Sequence, residues 1–180
     1  MSNRKLLNSE LKRLTPEEFK TTAKNPVAMI LDNIRSQHNI GSAFRTADAF
    51  RLERIALCGI SSTPPSPEIH KTALGAEDSI DWEYFANTED AVNHLKINHY
   101  IPIAIEQTEN SIPLDKFVPD YRQKYALVFG NEVKGVRQSV VDLCTHSIEI
   151  PQFGVKHSLN VSVSMGIVLW HFYGHLKSDH

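Results

Sequence analysis

Short apolar runs alternate along the chain with stretches whose apolar residues recur every three or four positions. The runs VAMIL, RIALCGI, YIPIAIE, YALVFG and HSIEI predict buried strands. Between them, helical spacing predicts helices over residues 41–50, over TEDAVNHLK and VRQSVVDLC, and from about Ser158 to near the end. Strands that alternate with helices predict an α/β fold built around one mostly parallel sheet.

The start of the chain differs from this pattern. Thr15 followed by Pro16 and, three residues after the threonine, Glu18 is a capping box, which predicts a short helix to about Ala23. Asn25-Pro26 then breaks that helix. We therefore predict a short helical extension over residues 1–24 and a single domain over residues 25–180.

Composition limits the classes of protein that remain. The net charge of −2 argues against avid, sequence-blind nucleic-acid binding but permits a local basic patch. No apolar run reaches the ~18 residues of a membrane span, and the charged N-terminus is unlike a signal peptide. Cys58 and Cys144 lie in apolar contexts without zinc-ligand spacing, which predicts small buried side chains, no metal site and a cytoplasmic location.

Polar segments follow four of the predicted strands, and ligands of parallel sheets bind beyond the carboxyl ends of strands. These segments are DNIRSQHNIG, EQTEN, GNEVKG and PQFGVKHSLN. GNEVKGVR lacks the lysine and hydroxyl of a phosphate-binding P-loop, no G-x-G-x-x-G follows a strand, and no G-x-S-x-G is present. A small cofactor would therefore have to be held in a less familiar way.

Several residues in these segments allow two interpretations. Arg45 is either a helix-surface charge paired with a carboxylate three residues on, or a functional group. Ser158 is either the N-cap of the last helix or a ligand contact, while Asn160 inside the first helical turn is harder to explain structurally. Gly130 is either a plain strand-ending glycine or a place where a ligand approaches the backbone, and Glu132 is either a solvated charge or part of a site.

Three segments taken together carry a more specific pattern. NIRSQHNIGSAFRTADAF, LVFGNEVKGV and IEIPQFGVKHSLNVSVSMGIVLWHFY resemble, in order and spacing over about residues 27–174, the three motifs of the SpoU/TrmH family of RNA ribose 2′-O-methyltransferases, within the SPOUT class. The resemblance implies a doubly wound α/β domain with a C-terminal deep trefoil knot, an exception to the no-knot rule. It also implies S-adenosylmethionine bound in the knot, and a homodimer with the final helix in the interface.

The resemblance implies roles for individual residues. The residues it places in catalysis are Arg45, Asn39, Glu132, Ser158 and Asn160; those it places at the cofactor are Gly130, Ile150, Leu159 and, as a nearby contact, Glu106. Arg45 matches the arginine assigned to the target hydroxyl. Two roles stay open for Arg45: it removes the hydroxyl proton, for which a guanidinium is a poor group, or it clamps the adjacent phosphate and stabilises the developing alkoxide while phosphate or water takes the proton. Asn39 would orient Arg45 or the ribose.

The resemblance also favours one class of RNA as the target. The forms SLNVSVS and FGNE are more similar to members that methylate a guanosine of the tRNA D-loop, which favours tRNA over rRNA. An rRNA target stays open, as does a knotted RNA-binding protein without catalysis, although the intact catalytic set argues against the latter. A generic flavodoxin-like nucleotide or signalling module is disfavoured because no phosphate loop is present.

Overall fold

The computed structural model describes residues 3–156 and 158–176 and contains one sheet of seven parallel strands in the order β3-β2-β1-β6-β4-β7-β5. The strands are β1 Asn25–Asp32, β2 Leu52–Cys58, β3 Trp82–Phe85, β4 Tyr100–Ile105, β5 Ile112–Pro113, β6 Lys124–Phe129 and β7 His146–Glu149. The predicted strands are confirmed. The short edge strands β3 and β5 were not predicted.

Six α-helices accompany the sheet in the described ranges. They are α1 Pro16–Thr21, α2 Gln37–Ala49, α3 Pro67–Ala73, α4 Thr88–Ile97, α5 Gln138–Val141 and α6 Val161–Leu176. The predicted capping box at α1 is confirmed, since the Thr15 hydroxyl accepts from Glu18 N–H at 3.2 Å and the Glu18 carboxylate accepts from Thr15 N–H at 2.8 Å.

Helices α2, α3 and α5 differ from the prediction, and α6 begins at Val161 rather than at about Ser158. Helix α2 begins at Gln37 rather than at residue 41 because Ser36 caps it, its hydroxyl accepting from Asn39 N–H at 3.3 Å. Helix α3 was not predicted, although Ser66 as N-cap and Pro67 in the first turn are its start signals. Helix α5 is shorter than the VRQSVVDLC stretch suggested.

The core consists of two layers, one on each face of the sheet. Met29 and Leu31 of β1 pack with α2 and α6, while Ala28 and Ile30 of the same strand pack with α4 and α5. Alternate residues of a central strand are thus buried on opposite faces, as in a doubly wound α/β fold. The apolar stripe predicted on the last helix belongs to this core; it comprises Val161, Met165, Val168, Leu169 and Phe172.

The predicted fold class, a single doubly wound parallel sheet, is confirmed by this architecture. The strand pairings do not by themselves trace a knot, so the C-terminal knot stays a prediction, as does the boundary between residues 1–24 and 25–180. Within the described residues, no helix is long and apolar enough to cross a membrane. The same part of the chain contains no cluster of three or more His, Cys, Asp or Glu able to hold a metal ion.

Candidate active site

A cavity of about 540 Å³ opens at the carboxyl ends of β4, β6 and β7, where parallel sheets bind ligands. Its volume is within the range of small-molecule sites. Seven of the nine predicted site residues line it, and they come from three separate segments of the chain. These residues are Glu106, Gly130, Glu132, Ile150, Ser158, Leu159 and Asn160.

The segment that follows β6 folds back on itself at the cavity wall. Asn131 and Gly135 form an antiparallel bridge with N···O distances of 3.0 and 2.8 Å, and Gly135 has a φ of +67°, which favours glycine. A Cβ on Gly130 would lie 2.1 Å from the carbonyl carbon of Gly135 and 2.2 Å from the nitrogen of Val136. The protein's own backbone therefore requires a glycine at position 130, and the approach of a ligand to this glycine stays a prediction.

Glu106 fixes the end of this same segment, hereafter the 130–137 loop. Its carboxylate accepts from Gln107 N–H at 2.9 Å and from Val136 N–H at 2.8 Å. A side chain on Gly135 would meet this carboxylate at 2.1 Å. The predicted cofactor contact thus lines the cavity and also holds the shape of its wall.

Glu132 connects the 130–137 loop to α2. Its carboxylate accepts from the backbone N–H groups of Arg35 and Ser36 at 3.0 and 3.1 Å, and from Asn39 Nδ2 at 3.0 Å. Although burial alone would raise the pKa of Glu132, these hydrogen bonds lower it overall. A carboxylate at the N-terminus of a helix is further stabilised by the helix dipole. Glu132 is thus an exposed residue whose carboxylate is engaged by three donors of the chain, and not only by solvent.

Asn39 and Arg45 lie on α2, outside the residues that line the cavity. The amide of Asn39 is directed to Glu132, and among the described residues it makes no hydrogen bond to Arg45. The Arg45 side chain is exposed and forms no ion pair with any described residue, so the surface pair with Asp48 is not formed. Its guanidinium is thus available to an external anion.

The start of α6 resolves the alternatives for Ser158 and Asn160. The helix begins at Val161, and the Asn160 side-chain oxygen accepts from Ser162 N–H at 2.8 Å and from the Ser162 hydroxyl at 2.6 Å. Asn160 is therefore the N-cap, not a residue inside the first turn. Ser158 does not cap the helix, and with Leu159 it lines the cavity.

Sequence reasoning missed Asn131. Its Nδ2 donates to the carbonyl oxygen of Asn33 at 2.6 Å, and its Oδ1 accepts from Val133 N–H at 2.9 Å. An asparagine directly after a strand-ending glycine is a signal for such a side-chain-to-backbone turn. The residue ties the loop after β6 to the loop after β1.

The fold and the cavity define an α/β domain with a small-molecule site beyond its parallel strands. The wall of this site is connected through Glu132 to α2, the helix that carries an exposed arginine. The model of the SpoU rRNA Methylase family matches residues 26–170, and the chain belongs to that family. The predicted family resemblance is thereby confirmed.

Curated relatives are similar over most of this chain. It is 33% identical over 144 residues to the 23S rRNA (guanosine-2′-O-)-methyltransferase RlmB of Neisseria meningitidis serogroup B, covering 80% of this chain and 56% of the relative. It is 29% identical over 161 residues to the protein of the same name from Haemophilus ducreyi, covering 89% and 65%. The chain thus spans between 56% and 65% of the length of these two relatives.

Solved structures are similar as well. An AdoMet-bound rRNA methyltransferase from Sinorhizobium meliloti matches with a TM-score of 0.78 and 29% identity over 87% of this chain and 59% of that one. The A. aeolicus TrmH/SpoU tRNA modifying enzyme matches with a TM-score of 0.76 and 24% identity over 89% of this chain and 79% of that one. The second likeness supports the fold alone.

Proposed function

We propose that the chain is an S-adenosylmethionine-dependent RNA methyltransferase that modifies a ribose 2′-hydroxyl. The observation that carries this proposal is the gathering of seven predicted residues, from three distant segments, around one cavity of about 540 Å³. Membership of the SpoU family and the AdoMet-bound relative support the same reaction.

The cavity fits the cofactor in size and in the chemistry of its wall. Gly130, Ile150 and Leu159 would hold the cofactor through their backbone groups, and Glu106 keeps the wall in shape. When bound, S-adenosylmethionine supplies a methyl group activated by a sulfonium. Methyl transfer of this kind requires an aligned oxygen, and alignment alone contributes ~7–11 kcal/mol to lowering the barrier.

Arg45 acts on the ribose side of the reaction. The 2′-oxygen would gain the methyl group as the bond from that methyl to sulfur breaks, with the bonding electrons staying on sulfur as a neutral thioether, and would lose its proton to an adjacent phosphate or to water. Because a guanidinium is a poor base, Arg45 would hold that phosphate with its two-pronged hydrogen-bonding group and stabilise the developing negative charge. Its exposure, and the lack of an ion pair with another described residue, leave it able to do so.

Replacing Arg45 tests this role. Arg45→Lys keeps the charge but loses the bidentate geometry. We expect kcat to fall by about 10²–10³-fold, as for loss of one stabilising donor, while the dissociation constant for S-adenosylmethionine stays the same. Full activity of the lysine variant would contradict the phosphate clamp.

The target we propose is a guanosine of rRNA. The motif forms favoured tRNA, but relatives at 29–33% identity are named for guanosine 2′-O-methylation of 23S rRNA. The shared region covers the cavity and all predicted site residues, which supports transfer of the reaction class. Incubation with unmodified 23S rRNA and with unmodified tRNA separates the two targets, and methylation of tRNA alone would contradict the rRNA assignment.

A homodimer through the C-terminal helix is part of the same proposal. On the side of α6 opposite the buried core, Val163, Ile167 and Trp170 are 49%, 39% and 66% exposed. An exposed apolar stripe of this kind favours a protein interface. Sedimentation should give a dimer for the wild type and a monomer for Trp170→Glu; a wild-type monomer at micromolar concentration would contradict it.

A further inference from the structure

Among the described residues that are buried, only three are polar, and they gather at the carboxyl end of β1. They are Asp32, Ser61 and Thr88. Ser61 accepts from Ile34 N–H at 2.9 Å and donates to the Leu31 carbonyl at 3.2 Å, which holds the turn where the strand ends. Buried polar groups are costly, so their concentration at one point indicates a constraint on that point.

Asp32 is the centre of this group and has no exposed surface. Its carboxylate accepts from the Thr88 hydroxyl at 2.5 Å, the Asn33 amide at 2.8 Å and the Arg137 backbone N–H at 3.2 Å. The Nε of Arg137 lies 3.5 Å away and provides the compensating charge, and Arg137 in turn pairs with Glu89 at 3.0 Å. Asp32 is outside the residues that line the cavity.

These contacts end at the 130–137 loop, which forms the cavity wall. Glu132 attaches the loop to α2, Glu106 attaches Val136, and Asp32 attaches Arg137. Two carboxylates from other segments, Glu106 and Asp32, therefore accept from the backbone of the loop, and the loop's own Glu132 accepts from the backbone before α2. Of these three carboxylates, Asp32 alone is fully buried and carries an ion pair, so its loss would leave the buried partners of the network unpaired.

We propose that Asp32 is a positioning residue for the cofactor: by holding Arg137 it sets the 130–137 loop in the conformation that binds S-adenosylmethionine. The proposal rests on the proposed function. Asp32 acts through Arg137 and the loop, without touching the cofactor. A preformed loop binds more tightly because no ordering cost is incurred when the ligand arrives.

The alternative is that Asp32 only stabilises the fold, and a matched carboxylate separates the two. Glu53 accepts from Lys124 Nζ at 3.1 Å and from the Tyr100 hydroxyl, at the opposite end of the sheet from the cavity. Both Asp32→Asn and Glu53→Gln remove one carboxylate charge from a hydrogen-bonded network. Only the first should change the binding of S-adenosylmethionine.

The experiment is isothermal titration of S-adenosylmethionine into folded wild type, Asp32→Asn and Glu53→Gln, with Arg137→Gln as a second variant should Asp32→Asn not fold. We expect the dissociation constant to rise on the order of tenfold for Asp32→Asn, within the usual range for coupled sites, and to stay at the wild-type value for Glu53→Gln. In methylation assays, KM for S-adenosylmethionine should rise, with kcat at saturation within about twofold of wild type.

Different outcomes refute different claims. If wild-type protein binds no S-adenosylmethionine, the proposed function fails and this inference fails with it. If the wild type binds and folded Asp32→Asn, or folded Arg137→Gln in its place, binds equally well, only the positioning role is overturned. A fall in kcat without a change in KM for S-adenosylmethionine would likewise overturn the positioning role, because that role predicts weaker binding of the cofactor.

Discussion

Gly130→Ala is the sharpest test of how the cavity wall is built. The added Cβ would lie 2.1 Å from the carbonyl carbon of Gly135, whereas ordinary contact begins at 3.4 Å, so the backbone must move by about 1.3 Å. The obstacle is backbone, which cannot rotate away as a flexible side chain can. Overpacking of this kind costs ~1–3 kcal/mol. For a chain of this size, that corresponds to a fall in Tm of about 2–12 °C.

The matched control is the same substitution at Gly166 of α6, where a Cβ meets nothing within 4 Å among the described residues. Alanine is a better helix former than glycine, so Gly166→Ala should stabilise the protein by ~0.5–1 kcal/mol. Calorimetry gives both values, and titration with S-adenosylmethionine should show binding lost or severely weakened only for Gly130→Ala. A Gly130→Ala protein with wild-type Tm and affinity would refute the account of the loop.

Further predictions concern single groups whose contacts are equally clear. The pKa of Glu132 is lowered in the fold, so its stabilising effect should be present above about pH 4.5 and be lost as the pH falls through the lowered pKa. Urea titrations at several pH values should therefore show that the difference in unfolding free energy between wild type and Glu132→Gln disappears toward low pH. Asn160→Ala should cost ~0.5–2 kcal/mol of unfolding free energy through loss of the α6 cap, with Asn160→Asp keeping most of it, and equal stability of all three proteins would refute the cap. Burial raises the pKa of Cys58 to about 12, so native protein at pH 8 should resist alkylation at this thiol, and rapid labelling followed by mass spectrometry would contradict its burial.

Local pattern was enough to predict the central strands, because Val27 to Leu31 and the runs that pair with them are continuously apolar and buried on both faces. Trp82–Phe85 was missed because this edge strand exposes Glu83 and Tyr84 and pairs on one side only. Such a segment lacks the apolar run on which the prediction depends.

The site residues were identified by motif, but their contacts could not be read from spacing. Asn39 and Glu132 are 93 positions apart, and only the folded sheet brings the amide to the carboxylate. Asn160 illustrates the opposite problem, because its capping role depends on the helix starting at Val161, and a boundary error of three residues makes a cap look like a helix-interior residue. Asp32 could not be identified from local sequence, because its role depends on hydrogen bonds from Thr88 and Arg137, which lie far along the chain.

The most direct test of the central claim is the methylation product itself. Purified protein is incubated with unmodified rRNA and with S-adenosylmethionine carrying a labelled methyl group. The digested nucleosides are separated by liquid chromatography, and tandem mass spectrometry shows whether the label is on the ribose or the base. Arg45→Ala is the control. We predict a labelled 2′-O-methylguanosine that is absent from the control. Label on a nucleobase, or unmodified RNA despite measured binding of S-adenosylmethionine, would contradict the assignment as a ribose methyltransferase.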